Sequence, residues 1–182
     1  MRDLTVFVLG SAAIAWVSRG ALRHPHSHGF YRFFAWECTL VVALLNRAVL
    51  AVDPFSPRQL LSWVLLFGSI VLPLAAWRQL RREGAPTEAR RDEHLLGFEK
   101  TSRLVTTGLF RHIRHPMYTA LIMLAWGATL KHLTPLTVGL GLAATALLIV
   151  TALRDEQECL AYFGEPYRAY MKRTRRFIPG LL

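Results

Sequence analysis

The sequence lacks several features that would assign it to a common class of protein. It has only two cysteines, Cys38 and Cys159, in 182 residues, which argues against a disulfide framework or a cysteine-based metal site. It has no Gly-rich Rossmann motif, so any cofactor must be held by helix ends and short connecting segments. Acidic residues are few, 12 against 22 lysines and arginines. The formal net charge of +10 and the hydrophobic content of 53% are therefore the features to explain.

Five apolar runs account for most of the hydrophobic content. They lie at about residues 4–18, 33–52, 59–77, 117–130 and 133–153. A helix needs about 20 residues to cross about 30 Å of hydrocarbon, so the third and fifth runs are good candidates, whereas the first and fourth are short. The sequence therefore predicts an all-α, polytopic integral membrane bundle of about five transmembrane helices.

The basic residues fall mainly on one side of these predicted helices. With the N-terminus outside, the inner segments hold 18 of the 22 lysines and arginines; only Arg2, Arg58 and Lys131 lie outside, and Arg47 lies within a run. Lysine and arginine favour the cytoplasmic loops of membrane proteins. This rule accounts for the charge, so we expect no nucleic-acid partner and a C-terminus in the cytosol. The small, Arg- and Ala-rich chain favours a bacterial cytoplasmic (inner) membrane.

Three polar features accompany the predicted helices. His24, His26 and His28 alternate in one loop, but no cysteine or carboxylate lies near them in sequence, so we expect no metal site. Glu37 interrupts the second run, where a charge either lines a site or forms a structural pair, and both interpretations stay open. The charged connector after the third run predicts a helix, a turn around residues 84–86 and a second helix along the membrane surface.

The segment TTGLFRHIRHPMY, at 106–118, joins a group of basic and titratable side chains to the fourth apolar run. Proline disfavours a helical conformation in the preceding residue and is itself favoured at the first helical position. His115 is thus predicted to be non-helical and Pro116 to begin the helix, which leaves the N–H groups of Met117 and Tyr118 free. A helix N-terminus binds anions, and Arg114 adds a planar cation suited to carboxylate or phosphate.

An acidic group follows the fifth run. Asp155, Glu156 and Glu158 lie at the inner end of that run, as Arg114 lies at the inner end of the fourth. Because only the short turn KHLT joins the two runs, we expect the basic and acidic groups to be close in space.

These two blocks, TTGLFRHIRHPMY and DEQECLAYFGEPYRAYMKRTRRFIP, resemble the membrane-embedded methyltransferases that include isoprenylcysteine carboxyl methyltransferases and phospholipid N-methyltransferases. The acidic pair reads Asp155-Glu156 where the family has two glutamates, which makes Glu156 the stronger functional candidate. The resemblance divides the chain into N-terminal transmembrane helices with a cytosolic connector, residues 1–99, and a methyltransferase-like core, residues 100–182.

The resemblance implies methyl transfer from S-adenosyl-L-methionine to a lipophilic or amphiphilic acceptor, such as an isoprenylcysteine-like carboxylate, a thiol or a phospholipid amine, at the cytosolic membrane face. It implies catalytic roles for Arg114 and Glu156; whether Arg114 holds the cofactor or the acceptor stays open. The cofactor-binding residues that it implies are Thr107, Gly108, His112, His115, Pro116, Met117, Tyr118, Asp155, Phe163 and Tyr167.

Two other functions compete with this interpretation. Sterol reductases share a similar C-terminal block and use a reduced nicotinamide cofactor (NADPH), but they are much longer and have about twice as many spans. A non-catalytic membrane subunit would keep Arg114 and the adjacent helix N-terminus as a lipid-binding site. A short chain in which both blocks are intact argues against that second alternative.

Overall fold

The structure, a computed structural model, describes residues 1–50, 52–87, 95–97 and 99–180. These residues form seven α-helices and two short 3-10 helices, and their only strand-like pairings are two isolated bridges. The predicted all-α class is therefore confirmed for the described part of the chain. In chain order the α-helices are α1 (Arg2–Val17), α2 (Arg19–Leu22), α3 (His28–Leu45), α4 (Pro57–Glu83), α5 (Pro116–Thr129), α6 (Pro135–Phe163) and α7 (Glu165–Arg173).

Two helices among the described residues are long and apolar enough to cross a membrane, and they are the two that the sequence marks as long enough. They are α4, with 27 residues, and α6, with 29. α1 is apolar but shorter, and α5 has 14 residues. The outer face of α4 leaves large apolar side chains uncovered, with Val64 64% and Phe67 70% exposed. Water disfavours a continuous apolar face of this kind, whereas lipid accepts it.

Two helix boundaries differ from the apolar runs. α3 ends at Leu45, and Asn46 beyond it donates from its side-chain amide to the backbone oxygens of Ala128 (2.8 Å) and His132 (3.2 Å). Arg47 therefore lies in a 3-10 helix, Arg47–Val49, and pairs with Asp3 at 2.6 Å. α6 continues ten residues past the end of its apolar run, so the acidic group belongs to its last turns.

Close helix contacts at small residues hold the bundle together. The Ser62 hydroxyl of α4 donates to the backbone oxygen of Gly127 in α5 at 2.6 Å. A Cβ atom at Gly127 would lie only 3.1 Å from the backbone N of Leu66, so this close approach favours glycine. On the other side of the bundle, the Ser11 hydroxyl of α1 donates to Glu37 at 2.6 Å, which favours the structural interpretation of that carboxylate.

The turn predicted after α4 is present. α4 ends at Glu83, Ala85 has a φ of +44°, and the N–H of Ser102 donates to the oxygen of Gly84 at 3.0 Å. The second helix predicted for this connector falls largely on residues 88–94, outside the described residues.

Several helix ends meet at one end of the bundle, which we call the site end. It comprises the beginnings of α3 and α5, the ends of α4 and α6, and α7. Gln79 of α4 donates to the Thr107 hydroxyl at 2.9 Å, and His28 of α3 contacts Glu158 of α6 at 2.7 Å. Gly164, with a φ of +64°, separates α6 from α7 and so lets α7 turn away from the axis of α6 at this end.

Candidate functional site

The start of α5 has the conformation that the proline predicts. His115 is non-helical, with φ −122° and ψ 59°, and Pro116 occupies the first helical turn. The N–H groups of Met117 and Tyr118 donate to no backbone oxygen in the described part of the chain. The N–H of His115 donates to the oxygen of Arg176 at 3.0 Å. The C-terminal segment thus runs alongside the residues that precede α5.

Arg114 and Glu156, the predicted catalytic residues, form a buried ion pair. The Nε of Arg114 donates to Oε1 of Glu156 at 2.8 Å, and the two side chains are 7% and 4% exposed. Another nitrogen of the same guanidinium donates to the backbone oxygens of Thr174 (2.5 Å) and Met171 (3.1 Å). Two of the three guanidinium nitrogens of Arg114 are therefore engaged within the protein, one with α6 and one with the end of α7.

Two more cationic side chains surround Glu156. Arg176 binds both carboxylate oxygens of Glu156, with Nε at 3.1 Å and the terminal nitrogen at 3.0 Å. His115 Nε2 lies 3.4 Å from Oε1. Burial lowers the pKa of His115, but its hydrogen bonds to Asp155 and Glu156 outweigh burial and raise the pKa above the ordinary value. The two carboxylates therefore favour the protonated imidazole.

Asp155 has a different environment from its neighbour. The Tyr118 hydroxyl donates to Oδ2 of Asp155 at 3.0 Å, and the Cys159 thiol donates to Oδ1 at 3.4 Å. His115 Nδ1 lies 3.5 Å from the same carboxylate, and the His115 ring stacks on Tyr118 with 5.3 Å between ring centroids. Asp155 thus has a histidine but no arginine partner among the described residues.

A second buried network reaches the site from α3. His28 Nδ1 lies 2.7 Å from Glu158 and its Nε2 lies 3.5 Å from Glu99, while Arg32 pairs with Glu99. Burial raises the pKa of Glu99, but the charge of Arg32 and the hydrogen bonds from His28 and the Leu96 N–H outweigh burial and lower the pKa from 4.5 to about 2. Glu99 is therefore a carboxylate at neutral pH.

A pocket opens at the site end between α4, α5, α6 and α7. It holds about 720 Å³ of space free of protein atoms, its open mouth included. Its charged side chains are Glu99, Arg103, Arg114, His115 and Asp155. The remaining lining residues are apolar, aromatic or small: Leu80, Thr101, Leu104, Val105, Phe110, Pro116, Met117, Tyr118, Cys159, Phe163, Tyr167 and Tyr170. The pocket thus combines both signs of charge with an aromatic wall.

Eight of the twelve predicted site residues line this pocket, and the structure brings them together from three elements. They are Arg114, His115, Pro116, Met117, Tyr118, Asp155, Phe163 and Tyr167. Glu156 is not among the lining residues; it lies beneath them, enclosed by its cationic partners. Burial, with smaller contributions from nearby acidic groups, raises the pKa of Tyr167, so its hydroxyl stays neutral.

The other three predicted residues lie outside the pocket. Thr107 accepts a hydrogen bond from Gln79 at 2.9 Å and donates to Glu83, so it joins the segment before α5 to the end of α4. Gly108 has a φ of +50° and begins the 3-10 helix Gly108–Arg111. His112 is exposed, and its backbone oxygen accepts from the N–H of Arg175 at 3.2 Å.

Sequence reasoning missed several residues of the site. Glu99 and Arg103 lie in the connector, and His28, which the sequence groups with His24 and His26 in one loop, is the first residue of α3. Glu99 and Arg103 line the pocket. His28 does not line it but contacts the Glu99 carboxylate through Nε2. No local pattern marks them, because their positions depend on how the connector packs against α3 and α6.

Comparison with known proteins bears on the same part of the chain. The model of the phospholipid methyltransferase family matches residues 58–165, which is more than half of the sequence. The chain belongs to this family. The matched range contains nearly all of α4, the whole of α5 and α6, and every charged residue of the pocket.

Similar proteins from other organisms are named for different enzymes. Over 90 residues it is 33% identical to "Methanethiol S-methyltransferase 1" of Bradyrhizobium diazoefficiens, covering 47% of this chain and 30% of the relative. It is 26% identical over 95 residues to "Protein-S-isoprenylcysteine O-methyltransferase" of Dictyostelium discoideum, covering 52% and 37%. It is also 36% identical over 90 residues to "Probable 7-dehydrocholesterol reductase" of Acanthamoeba polyphaga mimivirus, covering 47% and 20%.

The chain thus spans between a fifth and somewhat more than a third of the length of these relatives. No solved structure is significantly similar to it. The named methyltransferases and the family model together support the membrane methyltransferase family that the two sequence blocks resemble.

Proposed function

We propose that the protein transfers a methyl group from S-adenosyl-L-methionine to a lipophilic or amphiphilic acceptor at a membrane surface. One observation carries the proposal: within the family-matched region, the described structure forms a pocket at the helix ends that has two carboxylates, two arginines and an aromatic wall. Its lining provides for a ligand that carries charged groups of both signs and a planar ring.

The residues present fit the proposed cofactor. S-adenosyl-L-methionine carries a carboxylate, an ammonium group and an adenine ring, and it supplies a methyl group activated by a positively charged sulfur. Asp155 and Glu99 provide negative charge for the cationic groups. Tyr118, Phe163 and Tyr167 provide the apolar and aromatic surface that favours a planar ring and a cation.

The side chains of this protein would act mainly by positioning and by excluding water. Methyl transfer requires the acceptor atom, the methyl carbon and the sulfur to lie in line, and correct orientation supplies much of the rate of such a reaction. Tyr118 and His115 hold Asp155 in one orientation. Beneath the pocket, the Arg114–Glu156 pair fixes the start of α5 against α6.

The proton requirement depends on the acceptor. A carboxylate or thiolate acceptor needs no general base, whereas a protonated amine must lose a proton before it reacts. Glu156 is enclosed by Arg114 and Arg176, and the two carboxylates beside His115 favour its protonated form, so neither is well placed to accept that proton.

The membrane arrangement is part of the same proposal. We place five spans with the N-terminus outside and the pocket at the cytosolic face of a bacterial inner membrane, since Lys and Arg favour that side. The exposed apolar face of α4 and the length of α6 support this placement. The division into residues 1–99 and 100–182 belongs to the proposal as well, although the contact between His28 and Glu158 connects the two parts.

Calorimetric titration of the detergent-purified protein tests the proposal. We expect saturable binding of S-adenosylmethionine and S-adenosylhomocysteine but not of NADPH. Incubation with donor labelled in its methyl group and a membrane lipid extract should then transfer label to the lipid fraction. Absence of binding by both adenosyl compounds would overturn the proposal.

A second candidate is a reductase that uses NADPH, and the similarity to the mimivirus protein named as a sterol reductase favours it. In the same titration, binding of NADPH without binding of the adenosyl compounds would support this candidate. A non-catalytic lipid-binding subunit is the third outcome, in which a lipid binds but neither class of cofactor does.

A further inference from the structure

One arginine of the pocket, Arg103, has no charged partner in the part of the chain that the structure describes. Arg103 lines the pocket and is exposed, and it forms no ion pair or side-chain hydrogen bond with any described residue. The other charged lining residues all have partners: Glu99 pairs with Arg32, and Asp155 bonds to Tyr118.

The two arginines nearest to the acidic group are already engaged. Arg114 is buried and bound to Glu156 and to backbone oxygens at the end of α7. Arg176 binds Glu156 through two nitrogens and does not line the pocket. Although sequence reasoning favours Arg114 as the anion-binding cation, two of its three guanidinium nitrogens are already engaged within the fold.

The backbone around Arg103 is firmly held. Its N–H donates to the oxygen of Gly84 at 3.0 Å, and the neighbouring Ser102 hydroxyl donates to the oxygen of Ala85 at 2.8 Å. A Cβ atom on Gly84 would lie 2.6 Å from the oxygen of Leu80, so the end of α4 admits only glycine at this contact. The guanidinium is therefore presented to the pocket from a fixed main chain.

We propose that Arg103 binds the anionic group of a ligand in this pocket, a carboxylate or a phosphate. An arginine with a free planar fork binds either group through paired hydrogen bonds. Glu99 and Asp155 line the same pocket and would bind cationic groups, so the pocket offers separate partners for both charges of a zwitterion. The anion would be either the carboxylate of the methyl donor or the phosphate of a lipid acceptor. Both belong to the proposed reaction, so this inference rests on the proposed function.

The experiment compares Arg103→Gln with Arg111→Gln in the detergent-purified protein. Arg111 is exposed, lies in the 3-10 helix before α5 and does not line the pocket, so it is a matched control for loss of one charge. Affinities are measured for S-adenosylhomocysteine, for 5′-methylthioadenosine, which lacks the amino-acid portion, and for phosphatidic acid in detergent micelles.

If the donor carboxylate is the anion, Arg103→Gln weakens S-adenosylhomocysteine binding about tenfold or more and leaves 5′-methylthioadenosine binding unchanged. If a lipid phosphate is the anion, only phosphatidic acid binding falls by that factor. If Arg103→Gln and Arg111→Gln bind all three probes with the same affinity, the inference is overturned. Failure of the unmodified protein to bind either adenosyl compound would instead count against the proposed function, so the two failures are distinct.

Discussion

The Nε atom of Arg114 lies 2.8 Å from Oε1 of Glu156, and the pair joins the start of α5 to the last turns of α6 beneath the pocket. Both side chains are almost completely buried, and the same guanidinium binds backbone oxygens at the end of α7. The pair therefore holds α5, α6 and α7 in the positions that shape the pocket. We assign it a positioning role.

Glu156→Gln should destabilise the protein strongly, because it leaves Arg114 buried without a counter-charge. Loss of one partner of a buried pair costs about 3 to 5 kcal/mol of unfolding free energy. Arg176→Gln removes a cation that is 40% exposed and should cost no more than about 1 kcal/mol. Denaturant unfolding in detergent measures both. Equal losses in the two variants would show that the Arg114–Glu156 pair is not the dominant contact.

The convergence of Arg114 with the acidic group could be predicted, because it depends on local rules. Pro116 fixes where α5 begins, and the short turn between α5 and α6 makes these helices antiparallel neighbours. The length of α6 was harder to predict, since its last ten residues are charged and mixed in character, so the apolar run ends before the helix does.

The rest of the site could not be predicted, because it depends on contacts between distant segments. His28 differs from His24 and His26 only in being buried against Glu158, 130 residues further along the chain. The short bridge between Ile113 and Arg175 involves too few residues to produce a strand pattern. Arg103 resembles any other connector arginine until the end of α4 places it at the pocket.

Tyr118→Phe should leave the fold intact and weaken the reaction. The ring keeps its stacking on His115, but the Asp155 carboxylate loses the hydroxyl that donates to it at 3.0 Å. A hydrogen bond to a charged group contributes about 1.5 to 3 kcal/mol, so we expect kcat/KM to fall about tenfold or more in an assay with methyl-labelled donor. Tyr31→Phe, which changes a tyrosine that does not line the pocket, is the control. Unchanged kcat/KM in Tyr118→Phe would remove this hydrogen bond from the mechanism.

Stability should fall in acid through Glu99. Its folded-state pKa of about 2 lies below the ordinary value of 4.5, so its contribution is complete above about pH 4.5 and is lost as pH falls toward 2. Glu99→Gln should have a lower melting temperature at pH 7, because Arg32 is then buried without its partner, and a flatter pH dependence between about pH 5 and 2. Melting curves in detergent, with Glu165→Gln at an exposed pair as the control, measure this difference. Parallel curves for Glu99→Gln and the unmodified protein would contradict it.

Cys159 offers a direct report on where the cofactor binds, because its thiol lies in the pocket next to Asp155. In a Cys38→Ala background it is the single remaining cysteine, so alkylation by N-ethylmaleimide reports on the pocket alone. S-adenosylhomocysteine at ten times its dissociation constant leaves roughly one site in eleven open, so alkylation should slow about tenfold. The variant that lacks both cysteines measures alkylation at groups other than cysteine. Binding detected by calorimetry without protection of Cys159 would mean that the cofactor occupies a different part of the protein and that the pocket has another ligand.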